Sequence, residues 1–449
     1  MRPRGQGGGL YGLLLVVVSA CSSDKLSTEE LMKPEACQSC HPKHYKQWAG
    51  SMHAYAAFDP VFIAMNERGQ RETNGELGDF CVKCHAPMAL LTGATTDGLN
   101  LDEVPNHLKG VTCYFCHQVD EVVGDHNAKL NLADDDVMRG GIADPVENSA
   151  HESKYSSLHD RNSLESAALC GTCHDIVTQN GVHLERTFEE WKGTLFAHDT
   201  PAEKLTCSGC HMRGQNGLAA NYEGVVQRRI HDHSMPGVDV AVTDFFELEA
   251  QRNAIQYELD NTLLAQLCVF TTTTGANIDY TLENVAAGHG WPSGAAHDRR
   301  AWVELVAYQG DVVVFESGVI RPDQALKDLK DDQLWRLGDF AYDKDGNTAH
   351  LFWDVARVES IQLPGQAARN PTEPDWVNTH ITHRYRLDKR PNRVVAKVHY
   401  RAMGRDVIQD LIDSGDLAPE IMDRIPQFTL ASTVLEWSGE SLFPCVPVQ

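Results

Sequence analysis

Five times between Cys37 and His211 the chain repeats one pattern, Cys-x-x-Cys-His. The repeats are Cys37-Gln-Ser-Cys40-His41, Cys81-Val-Lys-Cys84-His85, Cys113-Tyr-Phe-Cys116-His117, Cys170-Gly-Thr-Cys173-His174 and Cys207-Ser-Gly-Cys210-His211. Chance would supply on the order of 0.02 such motifs in a chain of this composition. Two thiols at this short, fixed separation can add across the two vinyl groups of one porphyrin. The histidine beside the second thiol is then held over the iron as its proximal ligand. Structural zinc is the competing use of such knuckles, but zinc pairs them into four-ligand sets. Five knuckles cannot all pair, and a histidine follows every one. The pattern therefore predicts five covalently attached haem c groups. Cys37, Cys40, Cys81, Cys84, Cys113, Cys116, Cys170, Cys173, Cys207 and Cys210 form the thioethers; His41, His85, His117, His174 and His211 are the proximal ligands.

Three cysteines remain. Arg2 and Arg4 precede an apolar run, Leu10 to Ala20, that is too short to span a bilayer and reads as a signal peptide over residues 1–20. It ends Val18-Ser19-Ala20-Cys21, which resembles a bacterial lipobox. That resemblance implies cleavage before Cys21, acylation of its thiol and anchoring to a membrane. The expected product is an exported bacterial lipoprotein of the periplasm or outer membrane, and c-type haem is likewise attached outside the cytoplasm. The polar residues 21–34 read as a flexible tether. Cys268 and Cys445 can form a disulfide in such a compartment or stay as buried free thiols.

The expected fold class is α+β, with a boundary near residue 260. Residues 35–260 read as a haem-packed, mostly helical or irregular domain whose core is largely cofactor. Pro42 to Ala57 has helical spacing at Tyr45, Trp48, Ala49, Met52 and Ala56. Residues 118–150 show no regular strand pattern. Asp244 to Glu258 reads as a helix, with Asp244 and Glu247 as a capping box. The texture then changes. Runs rich in Val, Thr and aromatics at about 263–272, 277–286, 301–308, 311–317, 350–360, 380–387, 393–402 and 427–437 predict an antiparallel β-sandwich-like domain over 261–449.

Charge narrows the partners. The chain has 63 Asp+Glu against 39 Lys+Arg, a formal net charge of −24, and haem propionates add to it. Nucleic acid does not suit such a field. A redox protein with a basic docking face does, although the same charge also keeps an exported protein soluble. The oligomeric state is not legible.

Sixteen of the 21 histidines lie outside the motifs. His44 is too close behind His41 to reach the other face of the same ring. His350, His380, His383 and His399 lie in or beside expected strands. The first motif is followed by Tyr45, Trp48, Ser51 and His53-Ala54, which resembles the opening of the cytochrome c-552/4 family. That family is related to hydroxylamine oxidoreductase and the tetrahaem cytochrome that accepts its electrons. Further matches are Gly110-Val111-Thr112-Cys113, His151-x-Ser153-x-Tyr155-Ser156, Glu185-Arg186-Thr187-Phe188-x-Glu190-Trp191, His233-x-x-Pro236-Gly237 and Gly288-His289-x-x-Pro292-x-Gly294. The resemblance implies His53, His151, His233 and His289 as distal ligands, with His126 as the fifth and His159 as its substitute. His289 sits in a Gly- and Pro-rich loop after the 277–286 strand. As a ligand it reaches from the β-rich half to an iron held by the other.

Two readings of function follow. With two imidazoles on every iron, all five haems are low-spin and the protein is an electron carrier. Alternatively one haem is five-coordinate and reduces or oxidises a small nitrogen or sulfur compound such as nitrite or hydroxylamine. Pentahaem nitrite reductases commonly carry lysine in place of one motif histidine, whereas all five motifs here end in His. The electron carrier is the expectation.

Overall fold

The computed structural model describes residues 25–200, 203–369, 372–374 and 376–446. The signal peptide and Cys21 lie outside the described residues. The segment expected to be a tether is instead ordered where it is described. Thr28–Leu31 is a helix closed by a Ser27/Glu30 capping box. Leu31 is buried in a cluster with Phe62, Val82 and Leu108. Leu26 and Met32 pack against the same cluster, so three apolar residues dock the segment.

The chain is mixed α+β. Six helices matter below: α1 (Pro42–Ala49), α2 (Pro60–Glu72), α3 (Glu165–His174), α4 (Thr187–Lys192), α5 (Leu248–Asp260) and α6 (Arg405–Asp413). The helix expected over 42–57 is broken. α1 stops at Gly50, and Ser51 accepts the Ala54 N–H to start a separate turn, Met52–Tyr55, that carries His53. A Cβ on Gly50 would stand 2.8 Å from the Glu247 Cβ, so the break is also a close packing contact. Glu247 in turn is the left-handed residue (φ 57°) that opens α5. The expected Asp244 cap does not form, and Asp244 pairs with Arg424 at 3.2 Å instead. Residues 118–150, read as lacking strands, contain short ones. Val119–Val122 pairs with Leu130–Leu132, and Val137–Gly140 runs parallel to Glu152–Tyr155. Runs of three or four residues are too short to show alternation.

The long strands follow α5 directly. They are β1 (Leu263–Thr271), β2 (Ala276–Asn284), β3 (Arg300–Gln309), β4 (Val312–Ser317), β5 (His380–Leu387), β6 (Arg393–Arg401), β7 (Gln427–Thr429) and β8 (Leu435–Ser438). One antiparallel sheet has the order β5-β2-β1, and the other β4-β3-β6-β7, with β8 also on β6. β2 alternates buried and half-buried positions along its whole length, as a half-covered strand must. Its Ile278, Tyr280 and Leu282 share one apolar cluster with Val303 and Leu305 of β3 and Val398 of β6, so the two sheets face each other. The run expected over 350–360 is strand only at Arg357–Ser360, and 427–437 is split by a turn at Ala431–Thr433. Among the described residues no helix is long and apolar enough to cross a membrane.

The two halves share cores. Val61, Ala64 and Met65 of α2 pack with Ile408 and Leu411 of α6. Beside that contact Arg68 pairs with Asp410 at 2.5 Å and Arg71 with Asp416 at 2.6 Å. Cys268 and Cys445 are joined by a disulfide, which settles the alternative left open by the sequence. The bond sits where the C-terminal segment lies along β1, with Val269 N–H donating to the Pro444 carbonyl. Replacing both cysteines by alanine is expected to lower stability by roughly 2–4 kcal/mol. Denaturant titration of the oxidised protein and the double variant checks this; coincident curves would show that the bond constrains nothing.

Candidate metal centres

Each motif is built on a helical turn. Spacing of three and four residues puts both cysteines and the histidine on one face of such a turn. Thr112 starts the turn Cys113–Gln118 by accepting the Phe115 N–H, and Thr206 starts Cys207–His211 by accepting the Gly209 N–H. His85 and His174 each close a helix, Val82–His85 and α3. The motifs are also drawn together. The Cys37 thiol lies within hydrogen-bond reach of Cys113, Cys84 of Cys173, and Cys170 of Cys207. The first motif is thus beside the third, the second beside the fourth, and the fourth beside the fifth.

Four of the five motif imidazoles are oriented by backbone carbonyls. His41 Nδ1 meets the Ala219 carbonyl at 2.7 Å, His85 that of Ala56 at 3.2 Å, His117 that of Arg139 at 2.5 Å and His211 that of Pro236 at 2.7 Å. A carbonyl only accepts, so Nδ1 is the donor, and the neutral ring keeps its lone pair on Nε2. A metal-bound histidine uses this same second contact to fix its tautomer and ring direction. Three of the histidines expected as distal ligands share the habit. His151 Nδ1 meets the Glu152 carbonyl at 3.1 Å, His233 that of His231 at 3.2 Å and His289 that of Gly290 at 2.7 Å. Desolvation pushes His53, His174 and His289 down to about 4, which keeps these rings neutral.

The rings then meet in pairs. His41 and His151 have centroids 6.3 Å apart, His117 and His233 6.4 Å, and His174 and His53 6.1 Å. An iron bonded at about 2 Å to one nitrogen of each ring sets the centres roughly 6.3 Å apart. The three spacings match that span, as do those of His41 with His44 at 6.0 Å and His126 with His183 at 6.2 Å. Among the described residues no group of three or more His, Cys, Asp or Glu side chains is gathered as a protein-only metal site would need.

Two expectations are not met. His126 stands near no motif histidine. Both its nitrogens are engaged, Nδ1 with Asp125 at 2.8 Å and Nε2 with Lys129 at 2.8 Å, and its ring neighbour is His183 at 6.2 Å. Its proximity to the third motif in sequence is undone by the turn at Asn127 and Ala128, both at positive φ. His159 stacks on His117, with centroids 5.4 Å apart, but its Nε2 is bonded to the Cys116 carbonyl at 2.8 Å. His85 therefore gains no imidazole partner from the expected set. Its ring lies flat against Phe62, with centroids 4.1 Å apart. The carbonyls that aim the rings were not legible in the sequence, because any residue can supply one.

Known proteins resemble the chain in two ways. Residues 36–118 match the family model for cytochrome c554 and c-prime. The fold is similar to the crystal structure of a penta-heme cytochrome c552 from Thermochromatium tepidum, at a TM-score of 0.64 and 20% identity over 91% of this chain and 99% of that one. No curated protein matches. Residues 36–118 are thus similar to that cytochrome family, and the fold of the chain is similar to that of a penta-heme cytochrome.

The matched segment includes a contact that ties the third motif to His53. Val111 N–H donates to the His53 carbonyl at 2.8 Å, and Gly110 has φ +74°. A Cβ there would stand 2.6 Å from the His53 oxygen and 2.8 Å from that of Ala54. Gly110→Ala is expected to cost about 1–3 kcal/mol from left-handed strain and backbone overlap. Thermal melting checks it, and a variant as stable as the parent would mean the segment relaxes freely.

Proposed function

We propose that the chain is an extracytoplasmic electron carrier that holds five haem c groups and passes electrons between redox proteins. The observation that carries the proposal is the geometry of two imidazole pairs, His41 with His151 and His117 with His233, each ring with Nδ1 on a carbonyl and the centroids spaced for one iron between them. The ten motif cysteines form the thioethers, and His41, His85, His117, His174 and His211 are the proximal ligands. His151 serves the iron on His41, His233 that on His117, His53 that on His174 and His289 that on His211. Iron held by two imidazoles exchanges single electrons and has no position left for substrate. The residues supply orientation: carbonyl bonds stop the rings from turning, and the apolar packing around them excludes water.

The partners proposed are redox proteins, with a basic docking face suited to the chain's net charge of −24. The Val18-Ser19-Ala20-Cys21 pattern supports acylation at Cys21 and attachment to a membrane, in the periplasm or at the outer membrane. The β-rich half, residues 261–449, acts as a cap on the haem-binding half and delivers His289.

One observation favours a second reading at a single site. His85 stacks on Phe62 and not on an imidazole. We therefore replace the expectation of five six-coordinate irons with four, and a five-coordinate one on His85. Such an iron can bind a small molecule, as the alternative of a nitrogen- or sulfur-compound oxidoreductase requires.

Two measurements test these assignments. Intact mass after denaturation should exceed that of the processed chain by five haems; four or fewer refutes the count. Titrating the reduced protein with carbon monoxide should saturate at one per chain. No binding means that every iron carries two protein ligands and removes the second reading, whereas two or more means that one of the four imidazole pairs is wrongly assigned.

A further inference from the structure

The loop that carries His289 is pinned peptide by peptide. The His289 carbonyl accepts from Asn284 Nδ2 at 2.8 Å, and Gly290 N–H donates to Glu190 Oε2 at 3.1 Å. The Gly290 carbonyl receives His289 Nδ1 at 2.7 Å, and Trp291 N–H donates to the Leu363 carbonyl at 2.8 Å. Both peptide planes flanking Gly290 are thus held at each end. Three of these contacts lie within the β-rich half. The fourth, Glu190, comes from α4, in the segment between the fourth and fifth motifs.

We infer that Glu190 is the positioning residue that aims the His289 imidazole at the haem iron it ligates. Its carboxylate accepts a second bond, from Ser293 Oγ at 2.6 Å, and Ser293 is also within 2.8 Å of Thr187 Oγ1. The side chain is 15% exposed. A largely buried carboxylate with two donors makes stronger bonds than a neutral acceptor in its place. The fit is tight: a Cβ on Gly290 would stand 2.9 Å from Glu190 Oε2 and 2.8 Å from Gln362 Oε1. α4 is itself fixed to the fourth motif, because Asp175, next to His174, accepts the N–H groups of Phe188 at 2.7 Å and Glu189 at 3.1 Å. A continuous set of bonds therefore runs from the fourth motif through Asp175, α4 and Glu190 to the loop of His289. The carboxylate acts through the Gly290 peptide: that unit's N–H is held by Glu190 while the next carbonyl aims the imidazole.

The inference rests on His289 being the distal ligand, so both residues are varied in the holoprotein and compared with the parent by paramagnetic resonance, visible spectra and redox titration. His289→Ala is expected to raise the high-spin content by one haem. Glu190→Ala is expected to raise it by part of one haem and no more, with covalent haem content unchanged and low spin restored by added imidazole. Glu190→Gln, which keeps an acceptor oxygen, should fall between Glu190→Ala and the parent. If His289→Ala changes one haem while Glu190→Ala leaves every spin state and potential as in the parent, Glu190 is only a tie between the halves and the inference is overturned. If His289→Ala leaves all spectra unchanged, the ligand assignment fails first. Should Glu190→Ala not yield folded protein, Glu190→Gln and Ser293→Ala carry the same comparison, and parental spectra in both count against the inference.

Discussion

A histidine that gives its Nδ1 proton to a backbone carbonyl has one nitrogen left, and that nitrogen points in one direction. The sites described here depend on this contact being made repeatedly. His41, His117 and His211 make it on the motif side, and His151, His233 and His289 on the other. On the motif side the acceptors lie well along the chain, Ala219 178 residues after His41, whereas on the other side they are near neighbours of the ring, Glu152, His231 and Gly290. The irregular path of the N-terminal half follows from this requirement. The short ladder Val137–Gly140 with Glu152–Tyr155, for example, holds the Arg139 carbonyl that meets His117 and the Glu152 carbonyl that meets His151.

Regular structure in that half is correspondingly brief. α1 ends at Gly50 and a new turn starts at Ser51, which directs His53 differently from a continued helix. A helix kept whole over 42–57 would have extended its own face and not turned His53 toward His174. The break relies on a close packing contact as well as on a local preference, since Glu247 occupies the space beside Gly50. Local sequence and tertiary contact agree at this point, as a uniquely folded chain requires.

What was legible in the sequence divides along the same line. The motifs are covalent chemistry and could be read directly. Long strands such as β2 and β5 could be read because alternation over eight or nine residues is a strong signal. His53, His151, His233 and His289 were singled out by resemblance, and the first three face a motif ring. His126, the fifth ligand the resemblance implied, is not brought to a motif ring; Asp125 and Lys129 occupy both its nitrogens. The Asp244 cap is absent because α5 opens three residues later, at Glu247, leaving Asp244 to pair at the surface with Arg424. Phe62 against His85 gave no signal at all, since a phenylalanine in an amphipathic helix ordinarily packs in a core.

The β-rich half is more than an appendage. Its contacts with the first half are of two kinds that differ in what they can transmit. The α2–α6 cluster of Val61, Met65, Ile408 and Leu411 is apolar and holds the halves together without specifying a direction. The bonds around residues 284–293 are directional, and each sets the angle of a peptide plane. Burial alone would leave the loop free to slide by a fraction of an ångström, which is enough to lengthen a bond to a metal. Peptide planes held at both ends do not slide. A β-sheet framework suits this task because Asn284, the last residue of β2, is fixed by the Leu263–Asn284 register before its side chain reaches the His289 carbonyl. The sheet thus passes its rigidity to a loop, and the loop passes it to an imidazole.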